Sequence, residues 1–308
     1  MPQSAIHAGR AAMVVRSGFP LAVGDNRAMK VHFVKMQGAG NDFVMLDGIG
    51  QRLELDARRI RALADRRYGV GADQVLVVER PPASGPGAEA DFRYRIFNAD
   101  GGEVEQCGNG ARCVAALLHA RDPARRRELA LGSPGGTVHA RIGEDGRVSV
   151  EIGAPDFEPS SLPMTAPCAA PSYPIRIGDL EVRVGAVSVG NPHAVVYVED
   201  VESAPVATLG PAIERHPAFP RRVNVGFLQI HDRGHVSLRV YERGVGETLA
   251  CGTGACAAVA VGRHDGRLDA EVDVDLRGGR AQVRWPGEGS TAWLTGPANV
   301  VFTGSIEL

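Results

Sequence analysis

The stretch Cys107-Gly108-Asn109-Gly110-Ala111 returns later in the chain as Cys251-Gly252-Thr253-Gly254-Ala255. In both copies a glycine-rich loop leads through the cysteine into an apolar segment. These segments predict helices over about residues 107–119 and 251–262. The copies are 251 − 107 = 144 residues apart. Repetition of so specific a junction indicates a chain built from two similar halves.

Further matches lie on both sides of the cysteines and keep the same order. They are Gly40-Asn41 with Gly190-Asn191 and Gln74 with Asn224, both 150 residues apart, and Asn98 with Glu242 and Gly102-Glu103 with Gly246-Glu247, both 144 residues apart. The spacing changes by six because the first half has a long Pro/Gly/Ser-rich loop at residues 80–90, where the second has a tight turn at residues 232–234.

Short segments of alternating apolar residues predict strands in both halves. In the first half these are residues 31–36, 43–47, 74–79, 91–98, 137–142 and 148–152, with a helix from the N-cap Asp56 to about residue 67. In the second half they are residues 180–189, 194–198, 224–231, 235–242, 271–275, 281–285 and 292–294, with a helix near residues 208–216. The predicted fold class is α/β (α+β), with two pseudo-symmetric domains facing each other across a cleft.

We expect the domains to span residues 29–152 and 153–298, with the boundary near the Pro-rich residues 154–174. Residues 1–28 match neither half and precede a fresh start signal at Met29. We interpret them as a disordered leader or the product of an upstream start codon, because they lack the features of a signal peptide.

Bulk composition indicates a globular, cytoplasmic protein. A formal net charge of −2 gives no reason to expect nucleic acid or an anionic membrane as partner, and no apolar run reaches the roughly 20 residues that span a bilayer. Five cysteines, an odd number in a chain of 308 residues, favour reduced thiols over a disulfide framework.

The chemistry is expected at Cys107 and Cys251. The first amides of a helix lack partners and carry partial positive charge, so they bind a carboxylate and lower the pKa of a thiol. Two thiols presented by two related halves suit inversion of an α-carbon, in which one removes a proton and the other delivers one to the opposite face. Helix ends alone stabilise a nearby negative charge by only about 2 kcal/mol, which is too little to account for catalysis. We therefore expect the cleft to close and exclude water.

The remaining cysteines have simpler interpretations. Cys113 and Cys256 lie on the apolar faces of the same two helices and are predicted to be core residues, and Cys168 is predicted to be incidental. Paired short-spaced zinc ligands are absent from the sequence, so no metal is expected.

Six stretches together resemble the diaminopimelate epimerase family. They are Lys35-Met36-Gln37-Gly38-Ala39-Gly40-Asn41-Asp42-Phe43, Gly71-Ala72-Asp73-Gln74, Phe97-Asn98-Ala99-Asp100-Gly101, Cys107-Gly108-Asn109-Gly110-Ala111-Arg112, Gly190-Asn191-Pro192-His193, and residues 242–254. They follow the family's order over roughly residues 29–308.

The resemblance implies interconversion of LL- and meso-diaminopimelate, a diamino-diacid, in lysine and peptidoglycan precursor synthesis, without cofactor or metal. It implies a curled, mostly antiparallel sheet around a central helix in each domain, return of residues 299–308 to the first domain, and a homodimer. Carried onto this sequence, Cys107 and Cys251 are the catalytic pair, and His193 and Glu242 tune the thiols. The residues implied to bind substrate are Asn41, Gln74, Asn98, Gly108, Asn109, Asn191, Asn224, Glu242, Arg243, Gly252 and Thr253.

Two alternatives stay open at this stage, and a third is nearly excluded. A proline or hydroxyproline racemase-like isomerase would have the same fold, although Arg243 favours a substrate with a charged far end. A non-catalytic amino-acid-binding module is also compatible with the motifs. A pyridoxal-phosphate racemase is disfavoured, because its Schiff-base lysine would have to be Lys30 or Lys35, the only lysines, both in the first strand.

Overall fold

The computed structural model describes residues 14–15, 29–85, 87–105, 107–124, 126–166 and 168–308. Most of the predicted leader, residues 1–28, lies outside the described residues. Within it, Val14 and Val15 form a short strand that pairs in parallel with Ser305 and Ile306.

Strands make up most of the described chain and helices connect or fill them. The strands are β1 Val14–Val15, β2 Lys30–Gly38, β3 Asn41–Asp47, β4 Gln74–Glu79, β5 Phe92–Asn98, β6 Glu103–Val104, β7 Glu128–Ser133, β8 Gly136–Ile142, β9 Val148–Gly153, β10 Tyr173–Ile177, β11 Leu180–Ser188, β12 Pro192–Tyr197, β13 Asn224–Asp232, β14 His235–Glu242, β15 Gly246–Thr248, β16 Glu271–Leu276, β17 Gly279–Arg284, β18 Ala292–Gly296 and β19 Asn299–Glu307. The helices are α1 Ala57–Ala64, α2 Gly108–Arg121, α3 Val206–Glu214 and α4 Gly252–His264, with a 3₁₀ turn at Pro159–Ser161.

The pairing of the strands repeats with the spacings found in the sequence. The parallel pair β3–β4 aligns Phe43 with Gln74, and 150 residues later the parallel pair β12–β13 aligns His193 with Asn224. The antiparallel pair β5–β6 likewise recurs 144 residues later as β14–β15. The mixed α/β class and the internal symmetry are therefore confirmed. The domain limits at residues 29–152 and 153–298 stay a prediction.

Two strand pairings connect the halves. β9 of the first half pairs antiparallel with β18 of the second, and β19 pairs antiparallel with β2 along nearly its whole length. The described strands consequently form one continuous hydrogen-bonded sheet.

Each half curls around one apolar helix. Helix α2 packs on β2, β3, β7, β8 and β9, and α4 packs on β11, β12, β13, β14, β17 and β18. Alanine, valine and cysteine fill both helices with buried side chains, and these join one large core. The largest of the enclosed side chains is Trp285. Cys113 and Cys256 are fully buried in this core, as predicted.

The structure differs from the predicted elements at several ends. Helix α1 has the predicted N-cap Asp56 but stops at Ala64 instead of residue 67, because the Asp65 carboxylate accepts bonds from the amides of Arg67 and Tyr68 and turns the chain. Helix α3 begins at Val206 and ends at Glu214, two residues earlier than predicted at each end. Strands β7 and β10 were not predicted.

Close packing of α4 on β11 gives a stability test. A Cβ added to Gly185 would lie 2.3 Å from Val261 Cγ1, so we expect Gly185→Ala to lower the free energy of unfolding by about 1–3 kcal/mol. The matched control is Gly234→Ala in the β13–β14 turn, where the nearest atom is 3.6 Å away and the change should stay within about 0.5 kcal/mol. Urea denaturation measures both, and equal effects would contradict this packing.

Candidate active site

The two repeated cysteines occupy the same structural position, the N-cap of a buried helix. Cys107 precedes α2 and its Sγ accepts from the amide of Gly110 at 3.4 Å. Cys251 precedes α4 and its Sγ accepts from the amide of Gly254 at 3.3 Å. In each helix the first intrahelical hydrogen bond is accepted by the carbonyl of the cysteine. Its donor is the amide of Ala111 in α2 and the amide of Ala255 in α4. Three amides therefore precede the ladder of each helix, and the N-cap sulfur accepts from the third, that of Gly110 or Gly254.

The two helix starts lie against each other. A Cβ added to Gly252 would lie 3.5 Å from Asn109 Oδ1 and 2.6 Å from Leu294 Cδ2. A Cβ added to Gly108 would lie 3.8 Å from that same Leu294 atom. Glycine at both positions allows this close packing, because a Cβ would overlap Leu294 at residue 252 and Ile152 at residue 108.

Glu242 connects the two thiols electrostatically. Its carboxylate accepts a hydrogen bond from the Thr248 hydroxyl at 2.6 Å, and it interacts electrostatically with both Cys251 and Cys107. Burial raises the pKa of Glu242. Both thiols are therefore within electrostatic reach of one carboxylate, at helix starts that pack against each other.

Both thiols ionise less readily than the helix position alone predicts. Burial raises the pKa of Cys107 and of Cys251, and the charge of Glu242 adds to this increase. The amides at the helix starts lower both pKa values, as predicted, but burial outweighs them. The predicted lowered pKa was wrong in its net direction, because it ignored desolvation of a thiolate enclosed by two halves.

Three amide side chains of the predicted binding set lie in the first half. Gln74 Nε2 donates to Asn98 Oδ1 at 2.9 Å across the β4–β5 pair, and Gln74 Oε1 is buried without a hydrogen-bond partner. Asn41 places its Oδ1 3.9 Å from Cys107 Sγ. A buried acceptor without a partner costs free energy, so Gln74 Oε1 is available for a donor on a ligand.

In the second half, a chain of polar contacts leads to Cys251. Buried His193 Nε2 contacts Asn191 Oδ1 at 3.0 Å, and Asn191 Nδ2 donates to Thr253 Oγ1 at 3.4 Å. Thr253 Oγ1 lies 3.5 Å from Cys251 Sγ. The structure therefore places His193 two side chains away from the thiol that it was predicted to tune.

The turn that follows β14 is held by hydrogen bonds to its main chain. Asn224 is buried and uses its amide for the main chain, since its Oδ1 accepts from the Arg243 amide at 2.9 Å and its Nδ2 donates to Pro192 O at 3.0 Å. The Arg243 side chain is exposed and donates to Arg221 O at 3.3 Å. Asn224 thus orients the Glu242-Arg243 turn.

Two supporting carboxylates escaped the sequence analysis. Asp73 Oδ2 accepts from Asn41 Nδ2 at 2.8 Å, and Arg66 holds Asp73 and Asp42 together at 2.7 Å each. Glu214, fully buried at the end of α3, accepts from the Gly244 amide at 2.8 Å. Asp73 directly precedes Gln74 in the quoted motif, which was a usable signal. Glu214 gave none, because an acidic residue near a helix end is ordinarily solvated.

The loops of the two halves touch beside the thiols. A Cβ added to Gly278 would lie 2.0 Å from Ala39 O, and Gly278 donates its amide to Leu249 O at 2.8 Å. Ala39 has a φ of 53°, unusual for a residue other than glycine. The β2–β3 loop, which carries Asn41, is therefore in contact with the second half.

A metal centre would require a cluster of ligating side chains among the described residues. Among them no cluster of three or more His, Cys, Asp or Glu side chains is arranged to hold a metal ion. The Lys35 ammonium is bound by Asp42 and the Gly71 carbonyl. In the part of the chain that the structure describes, no helix combines the length and apolarity required to cross a bilayer.

Solved structures define the class of protein that has this fold. A hydroxyproline epimerase from Agrobacterium vitis, solved with bound trans-4-OH-L-proline, is 17% identical with a TM-score of 0.62, over 91% of this chain and 93% of that one. A phenazine biosynthesis protein of the PhzF family from Bacillus anthracis is 19% identical with a TM-score of 0.60, over 91% of this chain and 99% of that one. The fold is thus one found among epimerases and PhzF-type proteins.

Sequence comparison narrows the class to one family. The family model for diaminopimelate epimerase matches residues 33–158 and 185–301. Relatives named diaminopimelate epimerase from Nitrosomonas europaea and Alkalilimnicola ehrlichii are 53% and 55% identical, each over 91% of this chain and 100% of the relative. The chain belongs to the diaminopimelate epimerase family, as the sequence motifs predicted.

Burial of His193 yields a prediction about pH. Desolvation, with help from the Arg243 charge, lowers the pKa of His193 to about 3, whereas an unfolded histidine titrates near 6.5. Between these values the unfolded chain binds a proton that the native chain does not. His193 therefore favours the native state above pH 6.5, and this contribution is lost as pH falls toward 3.

We expect the free energy of unfolding to fall by up to about 1.4 kcal/mol per pH unit from this residue. His193→Gln should remove this contribution to the pH dependence of the free energy of unfolding. Denaturant titrations from pH 7.5 to 4.5, compared between wild type and variant, measure it; parallel curves would show that His193 titrates normally.

Proposed function

We propose that the chain interconverts LL- and meso-diaminopimelate by proton transfer between Cys107 and Cys251. The observation that carries this proposal is the pair of N-cap thiols, one from each half, that interact with the same carboxylate of Glu242. Family membership supports the substrate, since the relatives at 53% and 55% identity are named for it. In this assignment the protein is an isomerase.

The reaction balances with the two sulfurs alone. The thiolate of one cysteine removes the α-proton and becomes a thiol, which leaves the electron pair on the α-carbon and its carboxylate. The thiol of the other cysteine donates its proton to the opposite face and becomes a thiolate. The configuration is inverted, and the protonation of the pair is exchanged until solvent resets it. No cofactor takes part in this scheme.

The reacting carboxylate fits the helix starts. The amides of residues 108 and 109 and of residues 252 and 253 precede the helical ladders, and the positive ends of both helix dipoles are directed there. Charge that develops on the carboxylate in the transition state is stabilised by such preorganised donors, most strongly where water is excluded. The contact of the β2–β3 loop with Gly278 and Leu249 supports this exclusion.

The remaining polar groups suit the two amino-acid ends of the substrate. In this assignment the amide side chains of Asn41, Gln74, Asn98 and Asn191 bind ammonium and carboxylate groups, and Gln74 Oε1 is the acceptor left open for an N–H donor. Arg243 pairs with the far carboxylate. Asn224 and Glu242 position these groups, and His193 acts on Cys251 through Asn191 and Thr253.

Single cysteine variants test the two-thiol scheme. Loss of a general acid or base costs about 100- to 10,000-fold, so Cys107→Ala and Cys251→Ala should each lower epimerisation at least about 100-fold. Cys168→Ala is the matched control, because Cys168 is exposed and far along the chain from both helix starts. LL-diaminopimelate in deuterated water should gain one deuterium per inversion with the wild-type protein.

The same assay separates the alternatives. Inversion of proline or hydroxyproline with no turnover of diaminopimelate would assign the chain to the racemase-like function. Binding of diaminopimelate without deuterium incorporation would identify a non-catalytic module. Near-normal turnover in either single cysteine variant would contradict the exchange of roles between the sulfurs.

We further propose that the protein works in the cytoplasm as a homodimer. The exposed surface of β19 supports the second part, because Val300, Val301 and Phe302 are 53%, 55% and 43% exposed and adjacent on one strand. Apolar clusters of this kind mark interaction surfaces. We expect light scattering to give twice the mass of 32.5 kDa for the wild type and the monomer mass for Val301→Glu. A wild-type monomer at micromolar concentration would refute the dimer.

A further inference from the structure

A second unusual group lies behind the thiols. Arg112, on α2, is fully buried between the ends of β2 and β18. A Cβ added to Gly296 would lie 3.2 Å from Arg112 Cζ, and one added to Gly38 would lie 3.5 Å from Nη2. Two of its nitrogens, Nε and Nη1, are buried with no hydrogen-bond partner. Glycine at both flanking positions keeps the guanidinium in a narrow slot.

A buried guanidinium requires an explanation, because arginine does not lose its proton in proteins and an unpaired buried charge is costly. The groups on which the Arg112 charge acts are Cys113, Cys107 and Cys256, and none of these is a carboxylate. Burial raises the pKa of Cys113 and of Cys256 to about 12, so both stay neutral thiols near neutral pH. Cys107, half-buried at the site, is the remaining group that can carry the balancing negative charge.

The internal repeat shows that this cation is confined to one half. At the spacing of 144 residues Arg112 corresponds to Cys256, since 112 + 144 = 256, and Asn98 corresponds to Glu242, since 98 + 144 = 242. The first half therefore has a buried cation where the second has a neutral thiol. The second half has a buried carboxylate where the first has a neutral amide. The two thiols are equivalent in position but lie in unlike electric fields.

The groups that face each thiol can be compared directly. Arg112 and the amides of Gly110 and Asn109 favour negative charge on Cys107, whereas Glu242 opposes it, and Tyr94 and Cys113 also interact with the Cys107 charge. Cys251 also has the opposing Glu242 charge, which is the largest influence on its pKa after burial. Thr253 and the Gly254 amide favour its thiolate, but no corresponding cation appears among these partners.

We propose that Arg112 is a positioning residue that acts through Cys107: its enclosed, carboxylate-free guanidinium makes Cys107 the first of the two thiols to ionise. This inference rests on the proposed function, because it concerns the same pair of sulfurs. It gives an electrostatic reason why Cys107 and Cys251 differ in ionisation although their positions in the two halves are equivalent. Glu242 holds the proton on Cys251 while Arg112 stabilises the thiolate of Cys107.

The test measures thiol ionisation and not turnover. Iodoacetamide reacts with a thiolate by forming a C–S bond and releasing iodide, and peptide mass spectrometry reads each cysteine separately in the full chain. In the wild-type protein the pH midpoint for labelling should be lower at Cys107 than at Cys251. The reverse order would overturn the proposal without any variant.

Variants then isolate the arginine. Arg112→Met removes the charge and keeps an unbranched side chain, an exchange that buried ions often tolerate. It should raise the Cys107 midpoint by at least one pH unit and leave the Cys251 midpoint nearly unchanged. Arg112→Lys, which keeps the charge, should restore most of the difference. An unchanged Cys107 midpoint in Arg112→Met, or equal shifts at both thiols, would overturn the proposal.

A further variant tests the proposal if Arg112→Met does not fold. Gly296→Ala keeps the charge but displaces the guanidinium, so it should raise the Cys107 midpoint in the same direction, and Gly234→Ala should not. No shift in Gly296→Ala would then count against the proposal. If the midpoints behave as expected but diaminopimelate is not inverted, the proposed function fails and the role of Arg112 stands.

Discussion

The structure depends on the free amides at the start of a buried helix. A helix that begins inside a protein must satisfy its first N–H groups, and here the cysteine sulfur of each N-cap takes one of them. Duplication of this arrangement brings two such helix starts into contact, each with a sulfur at its N-cap. Glycine in the repeated motif follows from this contact, because a Cβ at Gly252 would lie 2.6 Å from Leu294 Cδ2.

Burial has opposite consequences for binding and for ionisation at these thiols. Removing water strengthens every charge interaction in the site, which favours stabilisation of an anionic transition state. The same removal raises the pKa of both thiols and so opposes formation of the base. Fixed charges decide the balance between these effects. Glu242 and Arg112 are two such charges, each at a position where the other half has a neutral residue, and both interact with the sulfurs.

Much of the fold and the central pair of residues could be predicted from the sequence. Periodicity located most strands, and the 144- and 150-residue spacings reappear as strand register. Elements and contacts that have no signal in the neighbouring sequence were not predicted. Strand β7 follows an arginine-rich segment that reads as helix surface, and α1 ends early because the Asp65 side chain turns the chain. The partners of Asn41 and Gly244, namely Asp73 and Glu214, are set by tertiary contacts between segments 30 or more residues apart. The net pKa direction of the thiols could not be inferred without knowing their burial.

The return of β19 to β2 has a consequence for how the chain folds. Lys30 pairs with Glu307, so the first sheet contains residues from both ends of the chain. During synthesis the amino-terminal half has its helix and most of its strands long before its last strand exists. The edge of β2 therefore stays unpaired until β19 has been synthesised, and long-range pairings of this kind form slowly. The ribosome completes the second half before the first can close.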